Sequence, residues 1–190
     1  MTTNHKQKIQ FAQAKDGTHI AYASSGQGPI MVKAANWLSH IEHDWECPVW
    51  RHWLNDLSQH NTLLRYDERG CGLSDQNAED LSFASWVTDL ETVVDTAGLD
   101  RFPLLGISQG GAVAMAYAVK HPERVSHLIL YGAYARGRLV RDSSEEALDE
   151  AATMSQLIRL GWGRAHDAFR QVFSSQFMPG GSLSDLQAFN

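Results

Sequence analysis

Cysteine is scarce: Cys47 and Cys71 are the only two among 190 residues. That excludes a disulfide-stapled scaffold and fits two thiols kept in a reducing compartment. The opening MTTNHKQKIQ lacks the apolar core of a secretory signal. No apolar run reaches the ~20 residues of a membrane-spanning helix. Basic residues are outnumbered 16 to 22, for a net charge of −6. Nucleic acid and anionic membrane surfaces, which favour basic proteins, are therefore not expected as partners. These absences together lead us to expect a cytoplasmic protein. Against them stands a 43% hydrophobic content, enough at this length for a sizeable core.

The apolar pattern changes period along the chain. Lys8–Gln13 and His19–Ser24 alternate around Asp16-Gly17, which predicts a β-hairpin. Ile30–Ala34, Asn61–Tyr66, Phe102–Ile107 and Ser126–Tyr131 read as further strands. Val49–Ser58 and Ser82–Leu99 have helical spacing. In the second of these, Phe83, Trp86, Val87, Leu90, Val93, Val94 and Ala97 form the expected buried stripe, and Gly98 the stop. Gly110–Lys120 is a third helix, rich in small residues. Strands alternating with helices predict a mostly parallel sheet sandwiched between helical layers. The texture changes after residue 135. Ser143–Leu160, Gly163–Phe177 and Ser184–Phe189 read as helices with no strand among them, and Asp142-Ser143-Ser144-Glu145 is a capping signal. The expected domains are thus 1–135 and 136–190.

One short stretch carries chemistry. Gly106-Ile107-Ser108-Gln109-Gly110 fits G-x-S-x-G, with an apolar strand before it and a small-residue helix after it. A strand that reverses into a helix at a serine forces that residue into a strained backbone and exposes its Oγ. Gly106 and Gly110 are then required, because a Cβ would clash where strand and helix crowd together. Ser108 is the candidate nucleophile. Attack on a carbonyl makes an oxyanion that needs backbone N–H donors. The residue after the nucleophile, Gln109, supplies one. The loop Ala34-Ala35-Asn36-Trp37 after the third strand supplies the other, with Asn36 the first choice and Trp37 the second.

The GISQGG turn, the YDERGCGLSD loop, the KHPERVSHLILYG crossover and the helical segment after it resemble the α/β-hydrolase superfamily. VKAANWLSHIEHDWECPVWRHWL followed by RYDERGCGLSD is similar to a bacterial subgroup. Its hydrolase-like domains occur alone or fused to transcription-regulator or nucleotide-cyclase modules. The resemblance implies a three-layer α/β sandwich, here lacking the C-terminal strands, with residues 136–190 as a helical cap. It also implies that Asp67 and Arg69 brace the loop beside the nucleophile without acting in catalysis. One departure is that Ala34-Ala35 replaces the histidine-glycine pair often found after the third strand.

The family order is Ser, acid, His. The resemblance places the acid after the strand that follows the cap and the histidine after the final strand, beyond these 190 residues. His166 and His40 are the substitute bases to consider, with His43 near them. Ser39–Cys47 contains metal-ligand residue types without ligand spacing, so no metal is expected, and no cofactor signature is present. The expected activity is a serine esterase cleaving small carboxylic esters through an acyl-enzyme. The alternatives are a catalytically impaired ligand-binding or interaction module of the same fold, or a fragment of a longer hydrolase. An uncovered last strand would also pair with other copies, so a homo-oligomer through that sheet edge is expected.

Overall fold

The computed structural model describes residues 6–164 and 167–189. The chain divides into two compact units, Met1–Glu46 with Trp50–Ala135, and Cys47–Val49 with Arg136–Asn190. In the first unit the strands are β1 (Lys8–Gln13), β2 (His19–Ser25), β3 (Ile30–Lys33), β4 (Thr62–Tyr66), β5 (Phe102–Ile107) and β6 (Val125–Tyr131). Two helices precede β4, α1 (Ile41–Glu46) and α2 (Pro48–His60), the latter beginning in the stretch grouped with the second unit. Helices α3 (Phe83–Thr96) and α4 (Gln109–Lys120) follow β4 and β5.

The sheet order is β1-β2-β4-β3-β5-β6. The hairpin β1–β2 and the β2–β4 pair are antiparallel; β4, β3, β5 and β6 run parallel. Gly17 makes the hairpin turn at φ 90°, a conformation that costs glycine nothing. Alternation decides which side chains go where. Ile20 and Tyr22 of β2 join Val32, Leu64 and Leu104 beneath α3 and α4, in a core completed by Leu90, Val93, Val113 and Tyr117. Ala21 and Ala23, one residue out of phase, face the other way and pack with Ile41 of α1. On that same face Ser25 Oγ bonds Ser58 Oγ of α2 at 2.8 Å. Helices on both faces give the expected three layers.

The expected strands and larger helices are present, with ends moved by a few residues. Helix α1 is an addition. Its segment is short and polar, with Ile41 its one buried residue, so periodicity could not reveal it. Phe83 was expected in the α3 stripe but is 48% exposed at the first position of the helix. Strand β6 pairs with β5 alone, and Leu128, Ile129, Leu130 and Tyr131 are 39–58% exposed. Successive strand residues point to opposite faces, so the C-terminal half of β6 is partly exposed on both, with Tyr131 resting against the Trp53 ring.

The second unit contains α5 (Arg138–Arg141), α6 (Glu145–Gly161), α7 (Asp167–Ser175) and α8 (Leu183–Phe189). Ser144 caps α6 by accepting a hydrogen bond from the Ala147 amide. Phe169, Phe173 and Trp162 form an aromatic cluster. Gly161 lets the Phe169 ring approach, since a Cβ there would lie 2.1 Å from it. No helix among the described residues is long and apolar enough to cross a membrane.

Candidate functional site

At Ser108 strand β5 ends and α4 begins within one residue. Ser108 has φ 51° and ψ −124°, a positive φ that side-chain-bearing residues rarely adopt. Such strain costs ~1–3 kcal/mol and persists only where surrounding contacts enforce it. Here the Ser108 amide donates to the Tyr131 carbonyl at 3.0 Å, and the Ser108 carbonyl accepts from the Gly111 amide at 3.0 Å. The residue is exposed, and its hydroxyl makes no capping bond to the helix it precedes.

Three glycines permit this turn, each for a different contact. A Cβ on Gly106 would lie 2.6 Å from Gly111 Cα, so strand and helix could not cross as they do. A Cβ on Gly111 would lie 2.2 Å from Ala133 Cβ. The sequence pattern predicted that Gly110 was needed for strand–helix crowding; its close neighbour is instead the Ala35 carbonyl oxygen, 2.4 Å from where a Cβ would stand. Gly110 therefore lets the 34–37 loop lie against the first turn of α4.

That loop is held from both ends. Lys33 Nζ donates to Asn36 Oδ1 at 2.5 Å, and Leu38 turns the chain away with φ 66°. Between them the Trp37 amide donates to Gln109 Oε1 at 2.5 Å. The N–H of Trp37 thus faces the residue after the serine, across 72 positions of sequence. The 34–37 loop is thereby joined to the first residue of α4, next in sequence to Ser108, and a helix N-terminus presents N–H groups suited to a negatively charged oxygen.

The Asp67–Asp75 loop braces this arrangement from the side. Asp67 is fully buried and accepts from the amides of Ile41 (3.1 Å) and Leu73 (2.9 Å). Arg69 makes a forked pair with Asp89 of α3 and reaches Asp16 at 2.7 Å. Burial opposes the Arg69 charge, but the bonds from Asp89 and Asp16 outweigh it and hold the guanidinium protonated well above its ordinary value. Both residues have the bracing contacts expected of them.

Three ionisable residues at or near the site escaped the sequence reading. Glu68 is buried, accepts from Gln109 Nε2 at 3.4 Å, and faces the Cys71 thiol. Burial pushes its carboxyl up to about 7. Lys33 is buried under the Trp50 ring, and burial pushes its ammonium down to about 8. Asp89, at 0% exposure, is the third. The signal available for Lys33 was a lone charge inside an apolar run. For Glu68 it was an ionisable residue immediately after a strand, between two charges already singled out.

Four histidines among the described residues have side-chain partners away from the serine. His40 accepts from the amide of His43, His19 pairs with Asp75, His121 with Glu91, and His127 with Ser126. None of these contacts is with Ser108. His166 lies outside the described residues.

A family model described as the alpha/beta hydrolase fold matches residues 42–177. The chain is 36% identical over 110 residues to a 2-hydroxy-6-oxo-2,4-heptadienoate hydrolase from Pseudomonas putida, covering 57% of this chain and 35% of that protein. It is 37% identical over 102 residues to a proline iminopeptidase from Neisseria gonorrhoeae, covering 53% of this chain and 32% of that one. It therefore spans about a third of the length of these curated relatives. Among solved structures, an epoxide hydrolase from Bacillus megaterium superposes with a TM-score of 0.72 at 20% identity, over 95% of this chain and 65% of that one. That last likeness is one of fold.

Proposed function

From the premise that this chain belongs to the α/β-hydrolase family, we propose that it carries the nucleophile and the oxyanion-binding loops of a hydrolase for small carboxylic esters. The observation that supports this reading is the Ser108 backbone. It is one of two side-chain-bearing residues with positive φ among the described residues, and it is exposed at the N-terminus of α4. Strain kept at an exposed polar residue serves no packing purpose, whereas presentation of a nucleophile explains it.

In this reading Ser108 Oγ attacks the ester carbonyl. The Gln109 amide and an amide from Asn36 or Trp37 bind the oxygen as it gains charge, the serine proton leaves with the departing alcohol, and water then hydrolyses the acyl-serine, returning a proton to Oγ and releasing the acid. The similar proteins named above bear a hydrolase, a peptidase and an epoxide-hydrolase name. The ester assignment therefore rests on the serine and its surroundings.

The test is hydrolysis of a short-chain p-nitrophenyl ester, with stoichiometric fluorophosphonate labelling measured in parallel. We expect Ser108→Ala to abolish labelling and to reduce hydrolysis at least tenfold. Equal rates in the two proteins would remove Ser108 as nucleophile. An unlabelled serine together with tight binding of a small apolar ligand would favour the ligand-binding module.

A further inference from the structure

The side chain of Gln109 joins the two loops that flank Ser108. Its Oε1 accepts from the Trp37 amide at 2.5 Å, while its Nε2 donates to Glu68 Oε2 at 3.4 Å. The side-chain oxygen thus occupies an N–H that, on the reading above, is one of the candidate oxyanion donors. We propose that Gln109 is an internal ligand of the oxyanion site: its side-chain oxygen holds the Trp37 amide until a reacting oxygen displaces it, and Glu68 is the positioning residue that orients the glutamine for this.

The chemistry of the three groups sets the orientation. The Trp37 N–H can only donate, so it takes the carbonyl end of the amide and leaves the NH₂ end for Glu68, whose carboxyl has an acceptor oxygen in either protonation state. The reverse orientation would bring two oxygens together at Glu68 and two N–H groups together at Trp37. Glu68 is buried at 3% exposure, and its other contact is the weak Cys71 thiol donor at 3.9 Å. Water is largely kept from it, so Gln109 Nε2 is its main hydrogen-bonding partner and Gln109 is correspondingly held.

The latch discriminates by charge. A substrate carbonyl is a neutral acceptor, as Gln109 Oε1 is, and gains little by replacing it. An oxyanion forms a charge-assisted bond about twice as strong and displaces it readily. The glutamine therefore opposes unproductive occupation of the site and yields as charge develops. Removing the side chain should speed the reaction of Ser108, the opposite of what loss of an ordinary supporting contact would do. The Gln109 backbone amide survives the change to alanine.

Two measurements test this, the first independent of any activity. In protein carrying ¹⁵N-tryptophan, exchange of the Trp37 amide is compared between wild type and Gln109→Ala, with the helical amides of Trp53 in α2 and Trp86 in α3 as the control for folding. We expect exchange at Trp37 at least tenfold faster in Gln109→Ala, and faster by a smaller factor in Glu68→Ala. Unchanged protection in a folded Gln109→Ala protein overturns the latch. The second measurement is the bimolecular rate of fluorophosphonate labelling, expected to rise about three- to tenfold in Gln109→Ala. An unchanged or slower rate overturns the inhibitory role. If no variant is labelled, the nucleophile reading fails, and the exchange experiment alone decides the latch.

Discussion

Arg69 and Glu68 are neighbours in one loop, and both are buried, yet their charges meet opposite surroundings. Arg69 is saturated. Its guanidinium forks onto Asp89 at 2.7–3.1 Å, reaches Asp16, and bonds the Asp80 carbonyl at 3.1 Å. Glu68 has one long bond to Gln109 and a thiol, and Lys33, at the end of β3, has Asn36 Oδ1 and a 3.4 Å contact to the Ala34 carbonyl. The Arg69 cluster ties α3 to the β1–β2 hairpin, and its bonds to Asp89 and Asp16 hold the Arg69 guanidinium charged. The Glu68 and Lys33 pair lies against the loops around Ser108 and is drawn toward neutrality. The first arrangement suits a brace, and the second suits a place where polarity has been spent on positioning amides.

The comparison breaks most visibly at Asp89. Replacing it with alanine strands a buried guanidinium, and loss of one partner of a buried pair costs ~3–5 kcal/mol. Urea unfolding of Asp89→Ala should show this; a loss under ~1 kcal/mol would mean that Asp16 and water suffice to hold Arg69.

Glu68 should behave in the opposite sense. Its folded pKa of about 7 stands above the ordinary 4.5, so between those values the folded protein holds a proton that the unfolded chain releases. Its contribution to stability therefore falls as pH rises from 4.5 to 7. Glu68→Gln lacks this titration, and the unfolding free energy of the variant should gain on wild type by ~2 kcal/mol over that window. A constant difference would contradict the burial argument.

Lys33 supplies the smallest effect. Its folded pKa of about 8 lies below the ordinary 10.5, so the unfolded chain binds the extra proton between them. Wild-type stability should rise across pH 8–10.5 relative to Lys33→Met, by ~1–2 kcal/mol. Paired unfolding curves at pH 8 and 10 measure it.

The fold was largely legible from period alone. Ile20 and Tyr22 alternate with Ala21 and Ala23, and the two sets lie in the two separate cores. The Val87, Leu90, Val93, Val94 stripe follows α3. The turn at Ser108 was legible because glycine, serine and the small residues after it announce a backbone few other residues tolerate. Helix α1 was not, having almost no buried face. Glu68 and Lys33 were overlooked because a charged residue in a loop or strand is usually solvated, and one-dimensional pattern says nothing of what covers it.

The sequence by itself determined the order of strands and helices, the two textures before and after residue 135, and the strained serine between β5 and α4. These follow from steric and hydrophobic rules that act over a few neighbouring residues. Only the tertiary structure decided that Trp37 meets Gln109, that Gly110 makes room for the Ala35 carbonyl, and that Glu68 lies against the turn. Those contacts join positions 41 to 75 residues apart, and they depend on how strands assemble side by side, an outcome of packing the whole sheet that no local stretch encodes.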